Sequence, residues 1–239
     1  MKMPSSALPF LKGDKFSNGL VVRYEGEANT VTDRIDLITD LCKGKRVLHI
    51  GFADHLPLIK EKRAKGVWLH DRLISVADRC VGIDIDQAAV AFCQDELGIS
   101  DILANDVVLD QTPEVVTNAE WDIAVLGEII EHVPNPAQFL CALKEKYGPH
   151  LRTILITAPN AWELGNILGV RRNREFINTD HRFWFTPYTL AKIGTDAGLT
   201  LRDIYFAEGF PERRWWRRIL KTRYPMLREN LVCLFDLHG

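Results

Sequence analysis

The sequence lacks the features that mark several specialised classes of protein. Its five cysteines are widely spaced and include no CxxC pair, which argues against zinc-binding and disulfide-rich proteins, so we expect reduced core thiols. No segment approaches the roughly 18 consecutive apolar residues that a membrane span requires. The opening residues, MKMPSSALPFLKGDKF, also lack the apolar core of a secretory signal. The expected location is cytoplasmic.

An excess of positive or negative charge is absent too. The 30 basic and 32 acidic residues give a formal net charge of -2, which provides no global electrostatic reason to expect a nucleic-acid partner. The apolar fraction of 46% is that of an ordinary globular protein. With no repeat or linker dividing the chain, we predict an N-terminal arm over 1–28 and a single domain over 29–239.

Short apolar segments alternate with amphipathic ones along most of the chain. Strands are predicted at 46–52, 80–85, 101–106, 121–127, 152–159, 199–208 and 229–237. Helices are predicted at 30–42, capped by Asn29 or Thr30, and at 68–79, 87–97, 135–147 and 186–198. This alternation predicts an α/β fold with a Rossmann-like, doubly wound, mostly parallel sheet, and the last two strands are expected to pair as a hairpin at one edge.

Ligands of such sheets bind beyond the carboxyl ends of the strands, so the residues just after each strand are informative. Gly51 follows the first predicted strand and permits a tight turn. Asp84 ends the second, where a carboxylate can accept both hydroxyls of a ribose, whereas Asp86 is better placed to cap the next helix. Asp106 follows the third, where it could accept from an adenine amino group.

Together the ordered segments VLHIG, VGIDID, ANDV, WDIAVLGEIIEHV and TAPN resemble the class I S-adenosylmethionine-dependent methyltransferases. The resemblance is closest to the branch (methyltransferase type 11 or 23) that includes ubiquinone-pathway O-methyltransferases and many bacterial small-molecule and glycan methyltransferases. It implies an enzyme with a seven-stranded sheet, an antiparallel last strand and S-adenosylmethionine as cofactor. The implied cofactor-binding residues are His49, Gly51, Asp84, Ile85, Asp106, Val107, Gly127 and Glu128.

Two departures from the family pattern lie near the first strand. His49 stands where the family usually has an acidic residue, and only Gly51 remains of a turn that usually has two or three glycines. The interval from Gly51 to Asp84 is also longer than the roughly 20 residues of compact nucleotide-binding units. These departures keep open a rival hypothesis, a non-catalytic methyltransferase-like domain that binds a ligand or a partner protein.

Glu128, Glu131 and His132 follow the fourth strand at i, i+3 and i+4, which would place them on one face of a helical turn. Three hypotheses remain open. The residues could be structural, His132 could act as general base with Glu131 orienting its ring, or all three with His181 could bind Mg²⁺ or Mn²⁺. The order ExxEH, TAPN and TDHRFWFTP is similar to the magnesium-dependent RNA 2′-O-methyltransferases, which gives an alternative acceptor.

Two later segments bear on partners. Residues 161–185 combine arginines with aromatic residues and are predicted to form a substrate-selecting loop over the active site. The resemblance implies a small molecule or glycan as the methyl acceptor. The polar-Pro-Pro-aromatic turn of amino-methylating DNA enzymes is absent after the fourth strand, which argues against base methylation by that route. Nucleic acid is the less favoured partner, and the sequence sets no oligomeric state.

Residues 211–223, PERRWWRRILKTR, have six basic side chains and one acidic side chain. As a helix, the segment would direct Trp215, Trp216, Ile219 and Leu220 to one side and Arg214, Arg217, Arg218 and Lys221 to the other. This basic amphipathic pattern fits peripheral contact with an anionic membrane, at its inner face, and a lipid-linked acceptor. A lid over the active site, a dimer contact or an RNA contact fits it as well.

Overall fold

The computed structural model describes residues 1–28, 30–209 and 212–238. The strands are β1 (Arg46–Ile50), β2 (Arg79–Asp84), β3 (Ile102–Ala104), β4 (Trp121–Gly127), β5 (Leu151–Pro159), β6 (Thr200–Ala207) and β7 (Asn230–Asp236). The helices are α1 (Leu8–Leu11), α2 (Arg34–Cys42), α3 (Leu56–Ala64), α4 (Leu69–Val76), α5 (Gln87–Asp95), α6 (Glu114–Thr117), α7 (Pro136–Tyr147), α8 (Leu164–Val170), α9 (Pro187–Asp196) and α10 (Trp215–Arg223).

All seven strands belong to one sheet with the order β3-β2-β1-β4-β5-β7-β6. β1 pairs in parallel with β2 and β4, β2 pairs in parallel with β3, and β6 and β7 are antiparallel. Six strands are parallel and one is antiparallel, so the predicted fold class is confirmed. β1 and β4 are almost continuously buried, as parallel strands covered on both faces require.

The chain packs as two compact units. Unit A consists of Ile35–Gly127 and Ala142–Leu155, and unit B consists of Met1–Arg34, Glu128–Cys141 and Ile156–Gly239. Each unit is discontinuous in sequence. The predicted single domain over 29–239 stays a prediction.

The core of unit A explains the long interval between β1 and β2. Phe52, directly after the turn at Gly51, packs in a buried cluster with Ile59 of α3 and Trp68 before α4. A Cβ atom at Gly82 would lie 2.8 Å from both Phe52 and Ile102, so glycine is required where this ring crosses β2. The interval contains two helices, α3 and α4, whereas the sequence predicted one.

Other predicted boundaries need correction. The helix expected over 30–42 begins at Arg34, and of its two proposed caps Asn29 lies outside the described residues. The segment 161–185 is not a loop throughout, because α8 lies within it. The N-terminal arm contains α1 and a 3₁₀ turn at Ser5–Ala7.

The predicted cap of α5 is confirmed. Asp86 accepts from the amides of Ala88 and Ala89.

In unit B the sequence explains how α9 and α10 begin. Thr186 and Thr189 form a reciprocal capping box before α9, and Pro187 occupies the first turn, where its missing N–H costs nothing. α10 begins at Trp215, although the predicted basic segment starts at Pro211, which lies outside the described residues. Among the residues described, no helix has the length and apolar content needed to cross a bilayer.

Candidate functional site

Asp84 lies at the carboxyl end of β2 in unit A, and backbone amides engage both of its carboxylate oxygens. Oδ2 accepts from the amide of Ala53 at 2.9 Å, and Oδ1 accepts from the amide of Asp86 at 3.0 Å. Burial raises the pKa of Asp84, while these amides lower it. A carboxylate has about four lone-pair sites, so the side chain is fixed in position and can still accept from a hydroxyl group.

The turn after β1 is as tight as the sequence predicts. Gly51 has a φ of 68°, in the left-handed region that favours glycine, and its amide donates to the Ile83 carbonyl at 2.7 Å. His49, at the end of β1, is buried, and its Nδ1 lies 3.2 Å from Nδ1 of His70. Burial lowers the pKa of His70 to about 3. His49 is thus part of a buried pair directly before the turn.

The residues after β2 and β3 include two exposed apolar side chains. Ile85 is 71% exposed and Leu109 is 81% exposed. Asp106 accepts from the amides of Val108 and Leu109 through Oδ1, at 2.7 and 3.0 Å, and so closes its own turn. Val107 is buried. Sequence reasoning missed Leu109, because a single leucine in a loop carries no periodic signal.

The segment after β4 is not helical, so the predicted helical turn with three aligned side chains is wrong. Glu128 has a φ of 57°, and the His132 amide closes a turn by donating to the Ile129 carbonyl at 2.8 Å. α7 begins only at Pro136. A left-handed glutamate is uncommon, and such strain is concentrated at functional sites.

Neighbouring groups of unit B hold Glu128 in place. Its amide donates to Oγ1 of Thr157 at 3.0 Å, and its carboxylate lies 3.4 Å from Nη2 of Arg34. The side-chain amide of Asn230 is oriented so that both its oxygen and its nitrogen make hydrogen bonds. In this orientation Nδ2 donates to Oε1 of Glu128 at 2.6 Å. Arg34 and Asn230 lie far from Glu128 in sequence, and no local pattern could have identified them.

Glu131, His132 and His181 converge in unit B despite the non-helical backbone. One potential ligand atom from each residue lies within 4.8 Å of the others. The Glu131 side chain is completely buried, and neither of its oxygens has a hydrogen-bond partner among the described residues. Nε2 of His181 is 3.9 Å from Oε1 of Glu131, which is too far for a hydrogen bond. Glu128, the fourth predicted ligand, lies outside this group and pairs with Arg34.

Charge and burial perturb the titration of this cluster. Burial raises the pKa of Glu131 to about 8, and the negative charge of Glu128 contributes to the rise. Burial also lowers the pKa of His181, with a smaller contribution from His132. A buried carboxyl without partners is destabilised as an anion, so this group calls for a proton or a cation.

The segment 161–185 contacts the same cluster. The Arg182 amide donates to the Glu131 carbonyl at 2.8 Å, and the Arg182 guanidinium donates to the His132 carbonyl. These bonds fix His181, the neighbour of Arg182, against the turn. The same segment also lines a cavity of about 450 Å³, with residues that include Asn166, Arg174 and Trp184. Sequence reasoning missed the role of Arg182 because its partners are backbone atoms.

Solved structures identify the fold. The chain superposes on the small RNA methyltransferase HEN1 with a TM-score of 0.57 and 15% identity, over 92% of this chain but 28% of that longer one. It also superposes on magnesium protoporphyrin IX methyltransferase of Synechocystis PCC 6803, with bound SAH, with a TM-score of 0.52 and 13% identity, over 84% of this chain and 81% of that one. The fold is therefore that of the S-adenosylmethionine-dependent methyltransferases.

Sequence comparison gives the narrower relationship. No model of a known protein family matches the chain. A ubiquinone biosynthesis O-methyltransferase of Aeromonas salmonicida (strain A449) is 27% identical over 187 residues, which are 72% of this chain and 71% of that protein. The prediction of a class I S-adenosylmethionine-dependent methyltransferase, with S-adenosylmethionine as cofactor, is confirmed.

Proposed function

We propose that the enzyme is an O-methyltransferase that acts on a hydroxyl group of a small molecule or glycan. The observation that carries this proposal is the convergence of a buried carboxyl and two imidazoles, Glu131, His132 and His181, because such a group suits removal of a proton from a hydroxyl. The relative from Aeromonas salmonicida is named as an O-methyltransferase, which supports the same acceptor chemistry.

The strand ends of unit A are suited to the adenosine part of the cofactor. S-adenosylmethionine supplies an activated methyl group on a sulfonium. Asp84 would accept from the ribose hydroxyls, and the exposed Ile85 and Leu109 would cover the adenine, which supports the assignment because both side chains otherwise face water. Asp106 and the Val107 amide would face the edge of the adenine.

The remaining predicted cofactor residues are assigned from the turns that they form. The turn at Gly51 would lie under the methionine part, and Gly127 and Glu128 would border the sulfonium. His49 would support this region by packing, because its side chain is buried, and Nε2 lies 3.8 Å from where a Cβ atom of Gly127 would be.

For the reaction itself, His132 would take the proton of the acceptor hydroxyl. His132 is only partly buried, and its carbonyl is held by the Arg182 guanidinium. Glu131 and His181 would orient its ring. Methyl transfer is an in-line displacement in which positioning of the nucleophile supplies much of the acceleration, so a weak base is sufficient.

A second candidate, which the cluster favours specifically, is a metal-dependent form of the same reaction. Both oxygens of Glu131 are buried and have no hydrogen-bond partner within the described part of the chain, and two imidazoles face them, so the residues fit a divalent cation such as Mn²⁺ or Mg²⁺. The cation would be held by Glu131, His132 and His181 and would make the acceptor hydroxyl more acidic. The RNA 2′-O-methyltransferase alternative depends on this form, and the likeness to HEN1 supports only the fold.

Metal binding can be measured separately from activity. Calorimetric titration of chelator-treated enzyme with MnCl₂ should show one binding site, and Glu131→Gln and His181→Ala should each abolish it. Glu175→Gln, which removes an exposed carboxylate of the same segment, is the matched control and should bind as the wild type does. Full activity in EDTA would contradict the metal form and leave the general-base form.

The acceptor class can be tested by release of S-adenosylhomocysteine. Phenols, catechols and monosaccharides should be turned over, whereas amines of similar size should not. Turnover confined to amines would contradict O-methylation, and turnover of RNA oligonucleotides alone would favour the RNA alternative.

A further inference from the structure

Helix α10 (Trp215–Arg223) lies in unit B and directs two of its basic side chains, Arg217 and Lys221, toward carboxylates. Lys221 is buried and its Nζ lies 2.6 Å from a carboxylate oxygen of Glu208, 3.2 Å from Glu229 and 3.6 Å from Glu212. Arg217 lies 3.8 Å from the same Glu212. Arg214, Arg217, Arg218 and Lys221 were predicted to share one side of the helix, and this is wrong, because Arg214 and Arg218 are exposed whereas Lys221 is buried and Arg217 is partly buried. The helix is therefore anchored by ion pairs.

The opposite face of α10 is apolar at its centre. Trp215 is 74% exposed and Ile219 is 59% exposed, and these residues are one helical turn apart. Tyr224, directly after the helix, is 52% exposed. Ordinary surface helices bury their apolar stripe, whereas α10 buries Lys221 and exposes Trp215 and Ile219. Exposed apolar side chains of this size favour contact with another apolar surface over contact with water.

The rim of this face is positively charged. Arg213, Arg214, Arg218 and Arg223 are exposed and are not part of the ion-pair cluster of Lys221. The sequence has no acidic residue from 213 to 228. The face thus combines apolar side chains with four arginines and no compensating exposed carboxylate of its own.

We propose that the exposed face of α10 docks on the surface of an anionic phospholipid bilayer. Trp215 and Ile219 would enter the boundary between headgroups and acyl chains, with Tyr224 at headgroup level, and the arginines would pair with lipid phosphates. The docking is peripheral and does not depend on the identity of the methyl acceptor. It would place the enzyme beside acceptors that carry a lipid chain.

Two other occupants fit this face less well. RNA would engage the arginines and stack on Trp215, but it offers no apolar environment to the aliphatic Ile219. A second copy of this chain, docked through the same face by two-fold symmetry, would bring the arginines of one copy against those of the other. An anionic bilayer satisfies both the aliphatic and the basic side chains.

Vesicle co-sedimentation tests the proposal. The full chain should sediment with vesicles of phosphatidylcholine and phosphatidylglycerol (70:30) at low salt, and 0.5 M NaCl should weaken binding because it screens the arginines. Arg214→Glu with Arg218→Glu should lower the partition coefficient at least about 30-fold. Trp215→Ser with Ile219→Ser should weaken binding by a comparable amount while keeping its salt dependence.

Matched controls leave α10 intact. Lys12→Glu with Lys15→Glu makes the same charge change at two exposed positions, and Phe16→Ser with Val21→Ser removes exposed apolar side chains elsewhere. Both controls should bind like the wild type. Unchanged circular dichroism and affinity for S-adenosylhomocysteine would show that the α10 variants are folded.

Three outcomes would overturn the proposal. The first is no sedimentation with anionic vesicles at low salt, and the second is equal loss of binding in the controls and the α10 variants. The third is α10-dependent self-association, seen by light scattering, or α10-dependent RNA binding, without vesicle binding.

Discussion

Both units of the molecule contain carboxylates that come after a strand in sequence, but the surroundings of these carboxylates differ. In unit A, Asp84 and Asp106 each accept hydrogen bonds from two backbone amides. In unit B, Glu131 is completely buried and has no hydrogen-bond partner for either oxygen among the described residues. Glu128 stands between these cases, because it pairs with Arg34 and Asn230.

The difference indicates two kinds of ligand. A carboxylate that backbone amides already stabilise can remain charged while it accepts from neutral hydroxyls, as a ribose requires. A buried carboxylate without partners is stable only with a proton or a cation nearby. The first arrangement suits cofactor binding, and the second suits proton transfer or a metal ion.

The largest effect is expected from Glu131→Gln, which replaces the buried carboxyl of unit B. The change removes the ionisable carboxyl and keeps the volume, so methyl transfer should fall at least about 100-fold at saturating S-adenosylmethionine. The rate should be measured as S-adenosylhomocysteine release with the best acceptor. A rate within a factor of three of wild type would assign Glu131 to structure only.

A pH-dependent stability difference of intermediate size is expected from His70, a buried polar group in unit A. Its Nε2 has no hydrogen-bond partner among the described residues, and burial lowers its pKa from 6.5 to about 3. Below pH 6.5 the unfolded chain takes up a proton that the folded chain does not, so stability falls as the pH decreases from 6.5 toward 3. At pH 5 the loss should be about 2 kcal/mol.

Urea unfolding at pH 7.5 and pH 5 measures this loss directly. His70→Gln should show a smaller difference between the two pH values than wild type, since it removes the titrating ring. Unlike Glu131→Gln, this variant should retain methyl transfer at pH 7.5 if it folds. An equal pH difference in both proteins would mean that other groups dominate.

A smaller effect is expected from Ile85→Ser with Leu109→Ser, which tests whether these two residues of unit A contact the adenine. Both side chains are exposed, so the free energy of unfolding should stay within about 0.5 kcal/mol of wild type. Affinity for S-adenosylhomocysteine should nevertheless fall about 10-fold, because the adenine loses its apolar cover. Unchanged affinity would contradict their placement against the adenine.

The smallest effect is expected from Arg34→Met, which removes the cation beside Glu128. The pair is separated by 3.4 Å and both side chains are partly exposed, so it should contribute at most about 1 kcal/mol to stability. Because Asn230 still contacts Glu128, methyl transfer should fall less than about 10-fold. A loss as large as that of Glu131→Gln would show that Glu128 depends on Arg34 for its position.

The sequence predicted the sheet well because buried parallel strands are short continuous apolar segments, as in WDIAVLG. It missed α3 and α8, whose apolar residues do not follow a clear helical period. It also predicted a helical turn at Glu128 to His132. The left-handed φ of Glu128 is incompatible with a helical turn, and no sequence pattern predicts this conformation for a glutamate.

The sequence predicted the positions of site residues that directly follow strands, but not the long-range contacts of the site. Asp84 and Gly51 are fixed by their strands, so local sequence suffices to place them. The meeting of Glu131 and His132 with His181 depends on Arg182, which ties a distant segment to the turn through backbone carbonyls. Contacts of this kind arise only in the folded chain.

The most direct test of the two-ligand account is a calorimetric titration with S-adenosylhomocysteine of three proteins, namely wild type, Asp84→Ala and Glu131→Gln. We expect micromolar binding to wild type and to Glu131→Gln and no measurable binding to Asp84→Ala. Equal loss in both variants would contradict the division of roles between the two groups of carboxylates. No binding to wild type would support the rival non-catalytic domain.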